Sequence, residues 1–146
     1  MADGSSSASA RSGPLGLTVT VAGTTLRVSL SNDGDEPLRA YFAVQSASGR
    51  HHDYLTAEVV GEPPAPARLL RFTGNRDDSP TGVVELGPGE AVADELDLAA
   101  WAREPINGET PLAAGTHALT VTYAVDRPTA WSGSISAGPV ALVVPG

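Results

Sequence analysis

The side chains most suggestive of chemistry in this sequence stand together at His51-His52-Asp53. Imidazole and carboxylate groups are ligands of Zn²⁺ and similar ions. Neighbouring residues of a strand point to opposite faces, so both histidines reach one ion only from a loop. We expect a loop over residues 48–53 with solvated histidines, and we predict no metal and no cofactor. The alternative is a metal-dependent or enzymatic protein that uses His51, His52 and the acidic loops, with Asp53 as a further candidate ligand.

Two acidic runs, Asn32-Asp33-Gly34-Asp35-Glu36 and Asn75-Arg76-Asp77-Asp78, offer the oxygen ligands that Ca²⁺ prefers. Neither run completes a calcium loop of twelve residues with a bidentate Glu at its end. Because Asn, Asp and Gly are also the residues that tight turns select, both runs are predicted to be structural turns.

A nucleophilic serine is not predicted. Ser132 and Ser134 follow Trp131, and His117 is the conceivable base, but the Gly-x-Ser-x-Gly elbow is absent. A catalytic triad is recognised by its geometry, which the sequence alone does not supply. We therefore predict no catalytic residues and a protein that is not an enzyme.

The segment from Arg127 to Trp131 carries the stronger functional signal. Arg and Trp are the residue types that dominate interface hot spots, and Pro128 limits the entropy that a loop loses when it docks. Alternatively, Trp131 folds back over the end of the fold and plugs its core. The sequence leaves both interpretations open.

The element that must position this segment is the stretch before it, residues 114–125. Leu119, Val121 and Tyr123 alternate with small or polar residues, which is the period of a strand with one face on a core. The Thr, Val and Tyr content predicts that this strand lies near the middle of a sheet.

Similar alternation recurs along the chain and predicts eight or nine short strands separated by turns. The expected fold class is all-β, an immunoglobulin-like antiparallel β-sandwich with one short helical turn near Ala99–Ala102. Trp101 is expected to pack this turn onto a sheet, and Gly138-Pro139 to mark a bulge in the last strand. Residues 1–13 are predicted to be a flexible tail, and residues 14–146 a single domain.

Composition limits the partners. The 146 residues include no Cys and carry a formal net charge of −8, from 17 acidic and nine basic side chains. Without a basic patch, neither nucleic acid nor an anionic membrane is an expected partner. The absence of Lys and the many Ala, Gly and Pro residues suggest a GC-rich bacterial genome. No signal peptide is recognised, so we expect a cytoplasmic protein, or a secreted one if a leader was removed before residue 1.

Several motifs together resemble a known family. They are Leu30 to Leu38, Phe72-Thr73-Gly74, Leu86-Gly87-Pro88-Gly89-Glu90, Ala114 to Tyr123 and Trp131-Ser132-Gly133. Over residues 26–144 this pattern resembles the N-terminal sandwich that precedes the catalytic domain in deuterolysin-type and peptidyl-Lys metallopeptidases. The chain has no His-Glu-x-x-His motif, so the resemblance implies a free-standing accessory module without zinc chemistry.

A second resemblance is to the chagasin-like inhibitors of papain-type cysteine proteases, which are also immunoglobulin-like sandwiches. In that family, three loops at one end enter the protease cleft. The counterparts in this chain are Asn32-Asp33-Gly34, Gly87-Pro88-Gly89-Glu90 and the run from Arg127-Pro128 to Trp131.

These features predict a non-catalytic, peptidase-associated module that binds another protein through loops at one end of the sandwich. The predicted binding residues are Arg127, Pro128, Trp131, Asn32, Asp33, Gly34, Gly87, Gly89 and Glu90. Besides the metal-dependent or enzymatic protein, the alternatives are a chagasin-like cysteine-protease inhibitor and a structural subunit that self-assembles through its strand edges.

Overall fold

The computed structural model describes residues 5–42, 44–46, 49–61, 67–72, 83–125 and 130–145. Within these ranges, the side chains of residues 5, 44–46, 49–51 and 53 are not described. Strands dominate the described chain, and every pair of neighbouring strands is antiparallel. The protein is therefore all-β, as the alternation predicts.

The strands are β1 (Ser5–Ser12), β2 (Leu15–Ala22), β3 (Thr25–Asn32), β4 (Leu38–Tyr41), β5 (Val44–Ser46), β6 (Gly49–Val60), β7 (Arg68–Phe72), β8 (Val83–Leu86), β9 (Ala91–Asp97), β10 (Gly115–Val125) and β11 (Gly133–Val144). A short helix, α1 (Leu98–Ala102), and a 3₁₀ turn (Pro105–Asn107) link β9 to β10. In the described chain no helix has the length and apolar character that crossing a membrane demands.

Two sheets form the sandwich. The first sheet has the order β1-β2-β3-β9, and the second has the order β11-β10-β6-β5 with β7 also paired to β6. Strands β4 and β8 make a small two-stranded sheet. Buried apolar residues from all three sheets contribute to one core cluster, although Leu86 of β8 is not part of it. Strand β10 lies between β11 and β6, which confirms its predicted place in the middle of a sheet.

Burial of one face explains why the sandwich holds together. Leu17, Val19 and Leu26 are fully buried, whereas Thr18 between two of them is exposed. Burying one such side chain stabilises the fold by about 1.5–3 kcal/mol. The hairpin between β2 and β3 turns at Gly23, whose φ of 60° lies in the left-handed region that glycine adopts without strain.

The predicted helical turn is confirmed, and a side chain explains where it begins. The Asp97 carboxylate accepts a hydrogen bond from the Ala100 N–H at 3.2 Å, which satisfies one of the free donors at the start of α1. The Trp101 ring packs edge-on against Phe72 of β7, with ring centroids 5.6 Å apart. Trp101 thus joins α1 to the second sheet, as expected.

The predicted flexible tail is wrong for Ser5–Ser12, which form β1. This strand pairs residue by residue with β2, and the Ser9 and Thr18 hydroxyls lie 3.1 Å apart across the pair. Ala8 and Ala10 pack against the core cluster. The small side chains of β1 give no hydrophobic pattern in the sequence. They nevertheless suit a strand whose backbone pairs with the N–H and C=O groups along the edge of β2.

The described chain has eleven strands, where the sequence predicts eight or nine. Strand β1 accounts for one of the additional strands. The stretch from Leu38 to Ser46 contains both β4 and β5. These two strands have different partners, since β4 pairs with β8 and β5 pairs with β6. Alternation along one segment does not reveal such a change of partner.

The predicted bulge in the last strand is confirmed. Leu119 pairs with Val140 and Val121 pairs with Ala137, so Gly138 and its neighbour together oppose one residue of β10. Gly138 has a φ of 130°, and a Cβ atom built on it would lie 2.6 Å from the Leu119 carbonyl oxygen. The close approach of β10 therefore requires glycine here.

We predict that Gly138→Ala lowers the free energy of unfolding by about 2–4 kcal/mol, because the methyl group clashes with the β10 backbone and φ is unfavourable. Gly23→Ala is the matched control, because its φ of 60° is also positive but its Cβ would meet open space. It should cost only about 1–2 kcal/mol. Urea denaturation checks both values, and equal losses would contradict the bulge geometry.

Candidate functional site

Three segments that are distant in sequence meet at one end of the sandwich. We call this surface the loop end and define it as residues 32–36, residues 87–90 and Trp131. Because β4 pairs with β8, the chain entering β4 and the chain leaving β8 lie side by side at this end. The Trp131 N–H donates to the Arg39 carbonyl oxygen of β4 at 2.8 Å. Two of the predicted loops are therefore bonded to each other, and Trp131 is bonded to the strand that follows one of them.

Asn32 holds two of these segments in place. Its side chain is fully buried, and the Nδ2 group donates to the carbonyl oxygens of Glu36 at 2.7 Å and Leu86 at 3.0 Å. Its Oδ1 atom accepts from the Gly34 N–H at 3.0 Å. A buried amide needs all of these partners, because an unsatisfied one costs about 1–3 kcal/mol. Asn32 thus positions the loop end from beneath, without itself reaching the surface.

The backbone of Asn32 binds the neighbouring turn. Its N–H donates to the Glu90 carbonyl oxygen, and its own carbonyl oxygen accepts from the Gly89 N–H, both at 2.9 Å. Within this turn, the Gly87 N–H donates to the Glu90 carboxylate at 2.5 Å. Gly89 has a φ of 79°, which favours glycine at the tip of the turn. Residues 87–90 are therefore a closed turn fastened to β3.

The turn between β1 and β2 supports the other side of the loop end. The Asp33 N–H donates to the Pro14 carbonyl oxygen at 2.7 Å, and a Cβ atom built on Gly34 would lie 2.9 Å from the Pro14 ring. The Asp33 carboxylate lies 3.8 Å from the Arg11 guanidinium, with both side chains well exposed. Residues 32–36 thus form a structural turn, which matches the prediction made for them.

Trp131 packs onto the core and remains half-buried. Its ring lies 5.7 Å from the Tyr123 ring, centroid to centroid, with the planes tilted by 30°. Its six-membered ring lies 3.0 Å from where a Cβ atom on Gly133 would be. The indole therefore covers the end of β10, as the core-plug interpretation expects. Its exposed portion stays on the surface of the loop end.

Tyr123 supports Trp131 from inside the core. Its hydroxyl donates to the Tyr41 carbonyl oxygen of β4 at 2.5 Å. Burial away from solvent raises the pKa of the Tyr123 phenol well above its ordinary value, because the phenolate would lose its hydration. This hydrogen bond joins β10 to β4 and fixes the Tyr123 ring, against which the Trp131 indole packs.

Several predicted positions lie outside the described residues. They are Arg127 and Pro128 of the Trp131 segment, and the acidic run Asn75-Arg76-Asp77-Asp78. The site therefore has described geometry at Trp131, Asn32, Asp33, Gly34, Gly87, Gly89 and Glu90.

The loop predicted over residues 48–53 is corrected. Strand β6 begins at Gly49, so His51, His52 and Asp53 belong to a strand. His52 is only 1% exposed, so it is not a solvated histidine. Among the side chains that the structure describes, no three His, Asp or Glu groups gather as a metal site.

His52 forms a buried pair that the sequence analysis missed. Its Nε2 atom lies 2.9 Å from Asp94 Oδ2, and the Phe42 ring packs edge-on against the imidazole at 4.9 Å. The pair joins β6 of the second sheet to β9 of the first. The sequence contained one indication of this pair. Asp94 is spaced by two residues from Val92 and from Leu96, so all three lie on the same face of β9.

His117 and Ser134 lie at opposite ends of the ladder between β10 and β11. His117 pairs with Leu142, whereas Ser134 pairs with Ala124, seven residues further along β10. Seven residues of antiparallel strand span about 24 Å. The structure therefore separates the serine and histidine that a catalytic triad would bring together.

Comparison of this chain with known protein families, curated proteins and solved structures finds no match. The class of protein is thus defined by the fold alone. It is an all-β sandwich of antiparallel sheets.

We predict that Asn32→Ala lowers the free energy of unfolding by about 2–4 kcal/mol, because it strands two carbonyl oxygens and one N–H in the core. Asn107→Ala is the matched control. Its side chain also makes three hydrogen bonds, to Arg71 N and O and to Trp101 O, but far from the loop end. Amide exchange should speed up at Gly34 and Gly89 only in the Asn32 variant, and equal exchange in both variants would contradict the assigned role.

Because the Tyr123 phenol is buried, we predict that the folded protein loses stability at alkaline pH. In the unfolded chain the phenol ionises near its ordinary pKa of about 10, whereas the folded chain keeps it protonated to higher pH. Above about pH 10 the unfolded state therefore holds fewer protons, and stability falls as pH rises. Tyr123→Phe should cost about 1 kcal/mol at pH 7 and flatten the alkaline fall. Denaturation of wild type and Tyr123→Phe between pH 7 and pH 11 measures the free energy of unfolding. If its dependence on pH were the same in both proteins, the assignment would be refuted.

Proposed function

We propose that this chain is a non-catalytic module that binds another protein, a peptidase or a peptidase-associated protein, through the loop end. The observation that supports this proposal most strongly is that residues 32–36 and 87–90 are bonded to each other at one end of the sandwich, and that the Trp131 N–H bonds β4 at Arg39, three residues after this turn. These are the segments that the resemblance to protease-binding sandwiches singles out.

The loop end is organised before any partner arrives. Asn32 fastens both turns through side-chain and backbone hydrogen bonds, and the Trp131 backbone is bonded to β4. Ordering a loop on binding reduces affinity, so a surface that is already ordered retains more of its contact energy. Trp131 supplies a half-exposed aromatic ring, which is the side-chain type most enriched at interface hot spots.

The charge of the loop end indicates the kind of surface that it fits. Asp33, Asp35, Glu36 and Glu90 are exposed there, and the exposed basic side chains nearby are those of Arg11, beside Asp33, and Arg39 of β4. Complementary charges steer association and exclude wrong partners more than they add affinity. The partner surface should therefore be basic around an apolar recess that receives the Trp131 ring.

A second candidate function is inhibition of a papain-type cysteine protease. The observation in its favour is that the described residues of all three chagasin-like counterparts, including Gly34, Gly89 and Trp131, share one end of the sandwich. In this case the loop end would enter the active-site cleft and block it, without any chemistry on the inhibitor.

The test is affinity capture from the source organism, comparing wild type with the double variant Arg127→Ala/Trp131→Ala. We expect a captured partner to bind the double variant at least about 30-fold more weakly, because truncating one hot-spot residue costs about 2 kcal/mol or more. Trp131→Phe should recover part of the affinity, since it keeps an aromatic ring on Tyr123.

The matched control is Arg103→Ala/Ile106→Ala, at exposed positions near α1 and the opposite end of the sandwich. This variant should bind like wild type. If both double variants bound a partner as well as wild type, the loop end would not be the binding surface. Added papain separates the two candidates: inhibition by wild type and not by Arg127→Ala/Trp131→Ala favours the inhibitor, and no inhibition at high micromolar concentration rejects it.

A further inference from the structure

The outward side of the second sheet exposes large apolar side chains. Of the four large hydrophobic residues most exposed in the described chain, Val60 (40%), Leu69 (51%) and Val143 (54%) lie on this side. Strands β6 and β11 flank β10, and β7 pairs with the other side of β6. The side chains of Ala57, Leu70 and Leu142 point the opposite way, into the core. We call this side the outer face.

The register places these residues on the same side of the sheet, with Thr116 and Thr120 of β10 between them. Val60 lies opposite Ala118, which in turn lies opposite Ala141, so small residues fill the middle of the row. Val143 lies two residues after Ala141 on β11. Leu69 of β7 pairs with Glu58, which lies two residues before Val60 on β6. A groove of about 520 Å³ runs over this region and is lined by Val60, Ala118, Pro139 and Ala141 among others. Apolar patches of this kind mark interaction surfaces.

The charge of the outer face differs from that of the whole protein. The chain carries −8, yet Glu58 and Arg71 are the charged residues on the described part of this face, and their charges cancel. They are diagonal neighbours, because Glu58 pairs with Leu69 and Arg71 pairs with Thr56. Two copies of an acidic protein repel each other over most of their surfaces, but not where this face meets itself.

We propose that the outer face joins two copies of this chain around a two-fold axis. In a two-fold interface the same patch meets itself, so it must be self-complementary. One acidic and one basic side chain beside an apolar patch meet this condition, since Glu58 of one copy then faces Arg71 of the other. The dimer would present two loop ends, which multiplies avidity towards a partner that has two or more sites.

The size of the face sets the strength of the association. Four strands spaced by about 4.8 Å and about six residues long cover about 400 Å² on each copy. Standard interfaces bury about 800 Å² on each partner, so the dimer is weak and depends on concentration. Salt strengthens it, because screening reduces the repulsion between the acidic remainders of the two copies while the apolar contact persists.

The test is sedimentation velocity of the full chain between about 10 µM and about 1 mM, at low and at physiological ionic strength. We expect the average mass to rise with concentration from 14.8 kDa towards twice that value, and to rise further at the higher salt. Leu69→Glu and Val143→Glu should each weaken dimerisation at least tenfold. Glu58→Arg should also weaken it, and Arg71→Glu added to that variant should restore it.

The matched control is Ile106→Glu, since Ile106 is 48% exposed on the 3₁₀ turn and lies off the outer face. It should dimerise like wild type, and thermal melts establish that each variant is folded. A mass of one chain at about 1 mM would overturn the proposal and leave the face to a different protein. Equal weakening by Ile106→Glu and Leu69→Glu would overturn it as well.

Discussion

A single buried amide at the end of β3 determines how the loop end is built. Asn32 follows Leu26, Val28 and Leu30 in the alternation of β3, so its side chain points into the core and is fully buried. A buried amide must find hydrogen-bond partners, and here they are the backbone groups of residues 32–36 and 86–90. Two turns separated by more than fifty residues are thereby held side by side.

The same principle operates on the flank of the sandwich. The buried pair of His52 and Asp94 joins the two sheets, whereas Tyr123 ties β10 to β4 beneath Trp131. Polar side chains inside this core therefore occur where elements of different sheets must be fixed relative to one another. Apolar burial provides the stability, and these few hydrogen bonds provide the alignment.

Helix-forming residues indicated the helical turn near Trp101, and the Gly-Pro pair indicated the bulge at Gly138. The alternation of apolar residues was sufficient to predict the all-β class and the central position of β10. It failed where the signal is not hydrophobic or not regular. Strand β1 consists of small and polar residues that satisfy an edge. The pairing of β6 with β7 is irregular between His52 and Thr56, so alternation does not reveal which way the His52 side chain points. Its contact with Asp94 spans 42 residues of sequence.

The sequence predicted which segments form the candidate site, but not the role that each residue has in it. Turn chemistry and the two family resemblances selected residues 32–34, residues 87–90 and Trp131, and the fold brings their described parts to one end. The sequence treated Asn32 as a binding residue, whereas its position in the core makes it the support of the surface. Short motifs give residue types, but only the register of β3 shows which of them face inwards.

The central claim is that the loop end is ordered in the free protein. Amide hydrogen exchange followed by NMR tests it most directly, at the N–H groups of Gly34, Gly89 and Trp131, which donate to Asn32 Oδ1, Asn32 O and Arg39 O. We expect exchange far slower than in an unfolded chain, approaching that of the β3 amides. Exchange at the unfolded rate in all three groups would contradict it, because the turns would then acquire their order only from a partner.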